Sequence, residues 1–370
     1  MNAYLPMRAR STFRKQTGLT LIEVMIAMLL GVFLIGGVIQ IFISTKQTYR
    51  MQENLSRLQE NGRFAMDFLT RDIRMAGYRG CSGRPVVHNI LNNPTGFLYD
   101  FNTAISGFEA TSETAWTPII DADITSPLGG SDVITIRRAA NQAFTVDDQA
   151  ETTSSLALQA AAATVANLTS AGFLKSDGTN NCKIAVVSNC SDATVFQVST
   201  IEGRVLSQAP AGNCTADPGP GNATTNLRRR YDMGGQIYTI DTISYYIRLN
   251  PNNQPSLYRR VGSGNAEELV EGVEQMQIVY GIDAEANSRQ NGDGIPNYYT
   301  SAAAINPGGG ALTPNMDQVV SVRVSLLLRT IEDNLTEAPV PYSYNGNTGI
   351  DPQDRRIRRV FSSTISVRNR

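Results

Sequence analysis

The run Gly18-Leu19-Thr20-Leu21-Ile22-Glu23-Val24 sets a glycine, an apolar stretch and one carboxylate at a fixed offset. From Leu19 to Ile43 there are 25 residues and a single ionisable side chain, Glu23. A stretch of that length crosses a bilayer as a helix at about 1.5 Å per residue. A carboxylate near the end of such a helix is expensive in lipid, so its presence asks for a partner. An ordinary signal peptide has an apolar core of roughly 7–15 residues, with a small-residue cleavage site after it. Here the run is longer and the glycine precedes it, while a plain signal anchor has no use for Glu23.

Other residues able to do chemistry are few. Cys81, Cys182, Cys190 and Cys214 all follow the apolar run. Four cysteines allow three pairings, and the sequence does not choose among them. Joining Cys182 to Cys190 would close a short loop and leave Cys81 to tie the end of the N-terminal helix to Cys214. No two cysteines have CxxC spacing and His88 is the single histidine, so a zinc site is the weaker reading. One histidine also leaves no good base for a serine triad, and His88 reads as a loop residue. Asp283, Glu285, Asn287, Asn291 and Asp293 gather oxygen ligands in a calcium-like composition. Their spacing departs from that of an EF-hand, and a solvated turn is the default. Otherwise no cofactor is expected. Arg355, Arg356, Arg358, Arg359, Arg368 and Arg370 put six arginines in 16 residues. A solvated strand face explains them first, an acidic groove on a neighbour second and DNA capture third. Neither aromatic interleaving nor overall basicity supports nucleic-acid binding.

The elements that must position these residues follow from periodicity. Arg8, Arg10, Arg14 and Lys15 precede the apolar run with no acidic residue among the first 18, whereas only Lys46 and Arg50 follow it closely. The positive-inside rule then places the leader in the cytoplasm and the bulk of the chain across the inner membrane, in a compartment where disulfides form. Without its leader the chain carries 28 Lys and Arg against 33 Asp and Glu, which argues against a DNA-coating protein. Between Ser44 and Ala76 there is no proline and one glycine, Gly62. Met51, Leu55, Leu58, Gly62, Ala65, Leu69, Ile73 and Ala76 recur in steps of three and four, one helical stripe that Gly77 should stop. The expected helix is apolar all round in its first half and amphipathic in its second. Gly31, Gly36 and Gly37 allow close approach or bending within it.

Beyond Cys81 the chain breaks into short segments. Asp132–Arg138, Thr194–Ile201, Val273–Ile282, Asp317–Thr330 and Arg358–Val367 read as strands. Gln236–Leu249 and Ser256–Val261 flank an Asn/Pro turn and read as a hairpin, and Leu269–Gly272 leads into the strand at Val273. Residues 151–171 read as a short helix or a loop, and Ala209–Thr225 as an exposed loop. With 41% hydrophobic residues there is material for a sizeable core. The expected fold class is α+β: a long helix packed on a mainly antiparallel sheet, in one head over 81–370 with a variable excursion near 139–230.

The leader, the apolar run and the offset glutamate together resemble the signal of type IV prepilins and type II secretion pseudopilins. In that superfamily a prepilin peptidase cuts after the glycine, here Gly18, and methylates the new amine, here on Leu19. The resemblance therefore implies a cleaved leader over 1–18, a membrane half of the helix over 19–43 and an amphipathic half over 44–80. The stretches Glu60–Leu69 and Arg71–Cys81 resemble the helix end of PilW, the type IV pilus assembly family. Tyr245-Tyr246-Ile247 with Ser256–Arg260, Val320–Arg329 and Arg359–Arg370 are similar to the same branch. Pseudopilin J of type II secretion is similar but less close. Membership implies a non-enzymatic minor pilin that primes pilus assembly and sits at or near the tip, supporting twitching and adhesion. Its implied partners are other minor pilins, the major pilin and a large tip adhesin. The alternatives are a secretion pseudopilin and a pilus-displayed adhesin or DNA-binding subunit. Pairing between Glu23 and a neighbouring subunit's amine would offset the cost of both charges in lipid and fix axial register.

Overall fold

The absence of proline and the apolar periodicity after Thr20 carry one unbroken helix, α1, over Leu21–Met75. The computed structural model describes residues 18, 20–80, 85–159, 162–210, 214, 219–232, 234–285, 292–305 and 314–369. The chain divides into two compact units, residues 1–53 and 54–370. In the first, α1 is long and apolar enough to cross a membrane, and its side chains are exposed, Phe33 to 73% and Ile41 to 68%. In the second, Leu58, Gly62, Ala65, Leu69 and Ile73 are buried, as the stripe requires. Asn54 and Asp72 are buried with them, which a purely apolar stripe does not predict. The helix stops where Gly77 turns to φ +75° and its N–H donates to Arg137 O at 2.9 Å.

Two sheets share the core under this half of α1. The smaller runs in the order Tyr298–Thr300, Val273–Ile282, Val319–Arg329, Arg358–Ser366, antiparallel throughout. The larger is built on Gln236–Leu249. The first half of that strand pairs with Ile184–Ser188 and Phe144–Asp148, and its second half with Val133–Ala139 and Pro255–Val261. Among the described residues one pairing is parallel, Val86–Asn89 with Asp192–Gln197. The architecture is α+β and pilin-like, a long N-terminal helix with a mainly antiparallel head.

The expected hairpin and the strands at 133, 273, 319 and 358 form within a residue or two of their predicted bounds. The stretch read as a lead-in to Val273 behaves differently. Glu267–Glu271 is a strand of the larger sheet, paired with Pro255–Val261, and the chain then crosses into the smaller sheet at Gly272. Gly272 sits at φ +85°, and a Cβ there would lie 2.8 Å from Arg329 O. A left-handed backbone with no room for a side chain explains glycine at the crossing.

The excursion forms its own core rather than a surface insertion. Phe144, Leu168, Phe173, Phe196 and Tyr231 pack together with Ile237 of the long strand. Phe144 meets Phe173 edge to face at 5.8 Å. Within 151–171 lie both a strand, Leu156–Leu158, and a short helix, Val165–Ser170, whose start is capped by Thr164. The Thr194–Ile201 segment divides into Asp192–Gln197 and Thr200–Glu202. The exposed-loop reading of 209–225 fails at Asn222, which is 2% exposed. Its Oδ1 accepts from Gln197 N at 2.7 Å, and its Nδ2 donates to Gln197 O and Gln208 O at 2.8 and 3.1 Å. One amide thus supplies the hydrogen bonds that an irregular buried backbone otherwise lacks.

Candidate assembly site

Glu23 finds its partner within its own chain. Thr20, immediately before α1, donates to Glu23 Oε2 from both its N–H and its hydroxyl, each at 3.1 Å. Glu23 N in turn donates to Thr20 Oγ1 at 3.4 Å. This is a reciprocal capping box, which satisfies amides that the first helical turn leaves open. Its signal, Thr-x-x-Glu, is plain in the sequence, but the cost of a carboxylate in lipid draws attention to an external partner instead. Gly18 is described and a Cβ there would touch nothing within 4 Å, while Leu19 lies outside the described residues. Added Cβ atoms at Gly31, Gly36 and Gly37 also meet nothing within 4 Å, so no packing within this chain requires glycine there.

The head holds the helix at several points, of which two are closely built. Phe361 of Arg358–Ser366 lies flat on Gly62, where a Cβ would fall 2.4–2.6 Å from the ring. Glycine in the stripe is therefore a close-approach site. One turn from the helix end, Asp72 is 3% exposed. Its Oδ2 accepts from the Tyr245 hydroxyl at 2.6 Å, and its Oδ1 accepts from Arg138 Nε at 3.0 Å and Nη2 at 2.8 Å. Burial, reinforced by the Asp72 charge, holds the Tyr245 phenol far above its ordinary range, so it stays a donor. The clamp joins α1 to two neighbouring strands of the larger sheet. Asn61 Nδ2 adds a bond to Glu271 O at 3.0 Å, and Asn369 Nδ2 one to Arg74 O at 3.4 Å.

The cysteine pairing differs from the short-loop expectation. Cys182 is bonded to Cys214, with Cα atoms 5.6 Å apart. Cys190 is disulfide-bonded as well, and Cys81 lies outside the described residues. The short loop fails because Cys182 and Cys190 flank Ile184–Ser188, which carries them to opposite ends of a strand. His88 is half-buried rather than a free loop residue, with Nε2 3.0 Å from Asp192 Oδ1. That bond, with Arg229 beside it, holds the Asp192 carboxyl below its usual range.

The calcium-like loop is organised by its own backbone. Asp283 is fully buried, and its Oδ1 and Oδ2 accept from Glu285 N at 3.2 Å and Gly294 N at 2.9 Å. Asp293 Oδ1 accepts from Ile295 N at 2.8 Å. Asn287 and Asn291 lie outside the described residues. Among the described residues no three His, Cys, Asp or Glu side chains converge as metal ligands. Two arginines of the cluster, Arg356 and Arg358, are neutralised where they stand. Arg358 contacts Glu274 at 2.7 Å and Asp354 at 2.6 Å, and Arg356 contacts Asp354 at 3.3 Å. The hydrogen bond from Arg358 and the charges around it hold the Asp354 carboxyl down at about 2.

A membrane-length helix, capped at a lone carboxylate and clamped at its far end to an antiparallel head, defines a pilin-type subunit. Residues 13–39 match the prokaryotic N-terminal methylation motif, and residues 244–369 match the family model for type IV pilus-assembly protein W. Neither a curated protein nor a solved structure matches the chain. Over these residues, about a third of the chain for the longer match, it is similar to the type IV pilus-assembly protein W family. With the methylation motif and the apolar helix this supports a pilin-like role in pilus assembly and an N-terminal membrane anchor. The second match takes in Tyr245, which bonds Asp72, and Phe361, which lies on Gly62.

Proposed function

We propose that this protein primes type IV pilus assembly and stands at or near the fibre tip, where twitching and adhesion depend on it. A prepilin peptidase removes residues 1–18 after Gly18 and methylates the amine of Leu19. Residues 19–43 then anchor the subunit in the inner membrane, with the leader side cytoplasmic and the head over 81–370 periplasmic. The amphipathic segment over 44–80 joins the two. Other minor pilins, the major pilin and a large tip adhesin are its partners. The observation that carries this reading is Glu23, the single ionisable side chain of the apolar run, placed in its first helical turn.

The new amine stands four residues before Glu23. In lipid both charges are costly, and pairing them between adjacent subunits offsets that cost while fixing axial register. Thr20 holds the carboxylate until a neighbour's amine arrives. The carboxylates around Arg356 and Arg358 speak for a structural role of that cluster over DNA capture. The test replaces Glu23 by Ala and Gly18 by Glu in the native host. Gly18→Glu should leave the leader uncut, and Glu23→Ala should leave it cut but abolish co-purification with the other minor pilins and reduce piliation. Normal piliation and complex formation with Glu23→Ala would sink the proposal.

A further inference from the structure

Among the described residues the last strand of the smaller sheet, Arg358–Ser366, pairs on one side only, with Val319–Arg329. Its register runs through nine consecutive residue pairs without a bulge. Thr330 N donates to Ile357 O at 3.0 Å, and Val367 N donates to Val320 O at 2.9 Å. In an antiparallel ladder the backbone groups alternate sides, so odd-numbered residues here face the neighbouring strand. Arg358, Val360, Ser362, Thr364 and Ser366 therefore turn their N–H and C=O groups outward. Among the described residues no group pairs with those five backbones.

Edge strands are normally blunted by proline, lysine, a bulge or a covering loop. This one has no proline, lysine or glycine, and Val360 is 41% exposed on it. The charges at the edge that lack an ion-pair partner among the described residues are positive. Arg359 and Arg368 are exposed, and neither has a carboxylate partner among the described residues. Arg323, on the adjacent strand, lies 4.2 Å from the Tyr299 ring centre with Nε donating to Thr364 Oγ1 at 3.2 Å. The nearby carboxylates of Glu274 and Asp354 are already taken by Arg358.

We propose that Arg358–Ser366 is a docking strand, to which an extended segment of another protein chain, carrying carboxylates toward its ends, adds by backbone pairing. Main-chain hydrogen bonds supply the affinity, and the arginines select an acidic occupant. The inference stands on the edge itself and holds whatever the subunit's place in the fibre.

The discriminating variant is Ser362→Pro. It deletes an outward N–H and leaves the ladder to Val319–Arg329 intact, the one kind of strand position where proline is tolerated. The full-length protein in detergent micelles is titrated with a labelled synthetic peptide of alternating Thr and Val with two Glu at each end. Anisotropy reads binding, and amide exchange at Val360, Ser362 and Thr364 reads its location. Binding should protect those amides, and Ser362→Pro should weaken it about tenfold or more. The double variant Arg359→Glu/Arg368→Glu leaves the backbone untouched and should weaken it similarly, as should replacing the peptide's Glu by Lys. The proposal is overturned by absence of binding, by binding indifferent to these changes, or by equal protection from a single-stranded oligonucleotide. Protection that rises with protein concentration alone would assign the edge to a second copy and also overturn it.

Discussion

Replacing Asp72 by Ala should cost the head about 3–5 kcal/mol, because it removes the shared acceptor of one buried and one partly exposed donor. The Tyr245 hydroxyl loses its bond in a site where the residue is 0% exposed, so no water replaces it. Arg138 keeps 18% of its side chain exposed and can turn toward solvent, which puts the estimate at the lower end of that range. Asp72→Asn retains an oxygen for Tyr245 and loses the charge-assisted bonds to Arg138, at a cost of about 1–2 kcal/mol. The triple variant Asp72→Leu/Arg138→Met/Tyr245→Phe removes all three members of the clamp together, and should return to within about 1 kcal/mol of the parent. Trp116 is the single tryptophan, and its Nε1 donates to Ser131 O at 2.8 Å within the head. Its fluorescence in a urea titration of the micelle-bound protein reports head unfolding. A cost below about 1 kcal/mol for Ala, or Asn proving as harmful as Ala, would refute the clamp as a shared-acceptor site. For a domain whose net stability is about 5–15 kcal/mol, the Ala effect is large enough to lower subunit abundance.

Two further outcomes follow from particular contacts. Gly62→Ala should destabilise by about 1 kcal/mol, the overlap with Phe361 outweighing the gain in helix propensity. In a Phe361→Ala background the same change should become stabilising, and urea midpoints of the four proteins check that change of sign. The second outcome concerns Asp132, whose Oδ1 and Oδ2 accept from Ala110 N and Ile278 N at 2.9 and 2.7 Å, tying the two sheets together. Burial, reinforced by the Glu109 charge, pushes its carboxyl up to about 7. A raised acid contributes stability that is complete below its unfolded value of about 3.9, and that is lost as pH rises through about 7. The melting temperature should therefore fall between about pH 4 and pH 7 and level off above that, and Asp132→Asn should flatten that fall. The lowered Asp354 carboxyl acts in a separate window, its contribution disappearing only as pH drops toward about 2.

What could be read from the sequence depends on how local its physical cause is. The helix stripe from Leu58 to Ile73 shows because each residue faces the same way by backbone geometry alone. Asp72 lies on that face too, but its burial depends on Tyr245 and Arg138, more than 60 residues away. The long strand at Gln236 is evident from 14 residues of β-branched and aromatic side chains. The excursion is not, because Phe144, Leu168 and Phe173 become a core only when Ile237 arrives from outside the segment. Asn222 reads as loop by composition, and its burial follows from the bonds that its amide makes to Gln197 and Gln208. The prepilin-like signal was legible because glycine, apolar run and glutamate sit within a few residues. The Thr20 cap was equally local.

The strand Gln236–Leu249 has a mechanical meaning. Ile237 sits in the core of the excursion, and Tyr245 grips Asp72 on the helix. Tension applied between these two points runs along the covalent backbone of a single strand. The flanking ladders are then loaded along their length, so that several hydrogen bonds must break together rather than one after another. A pull on the excursion would reach α1 at Asp72 through a tether already taut in the folded state.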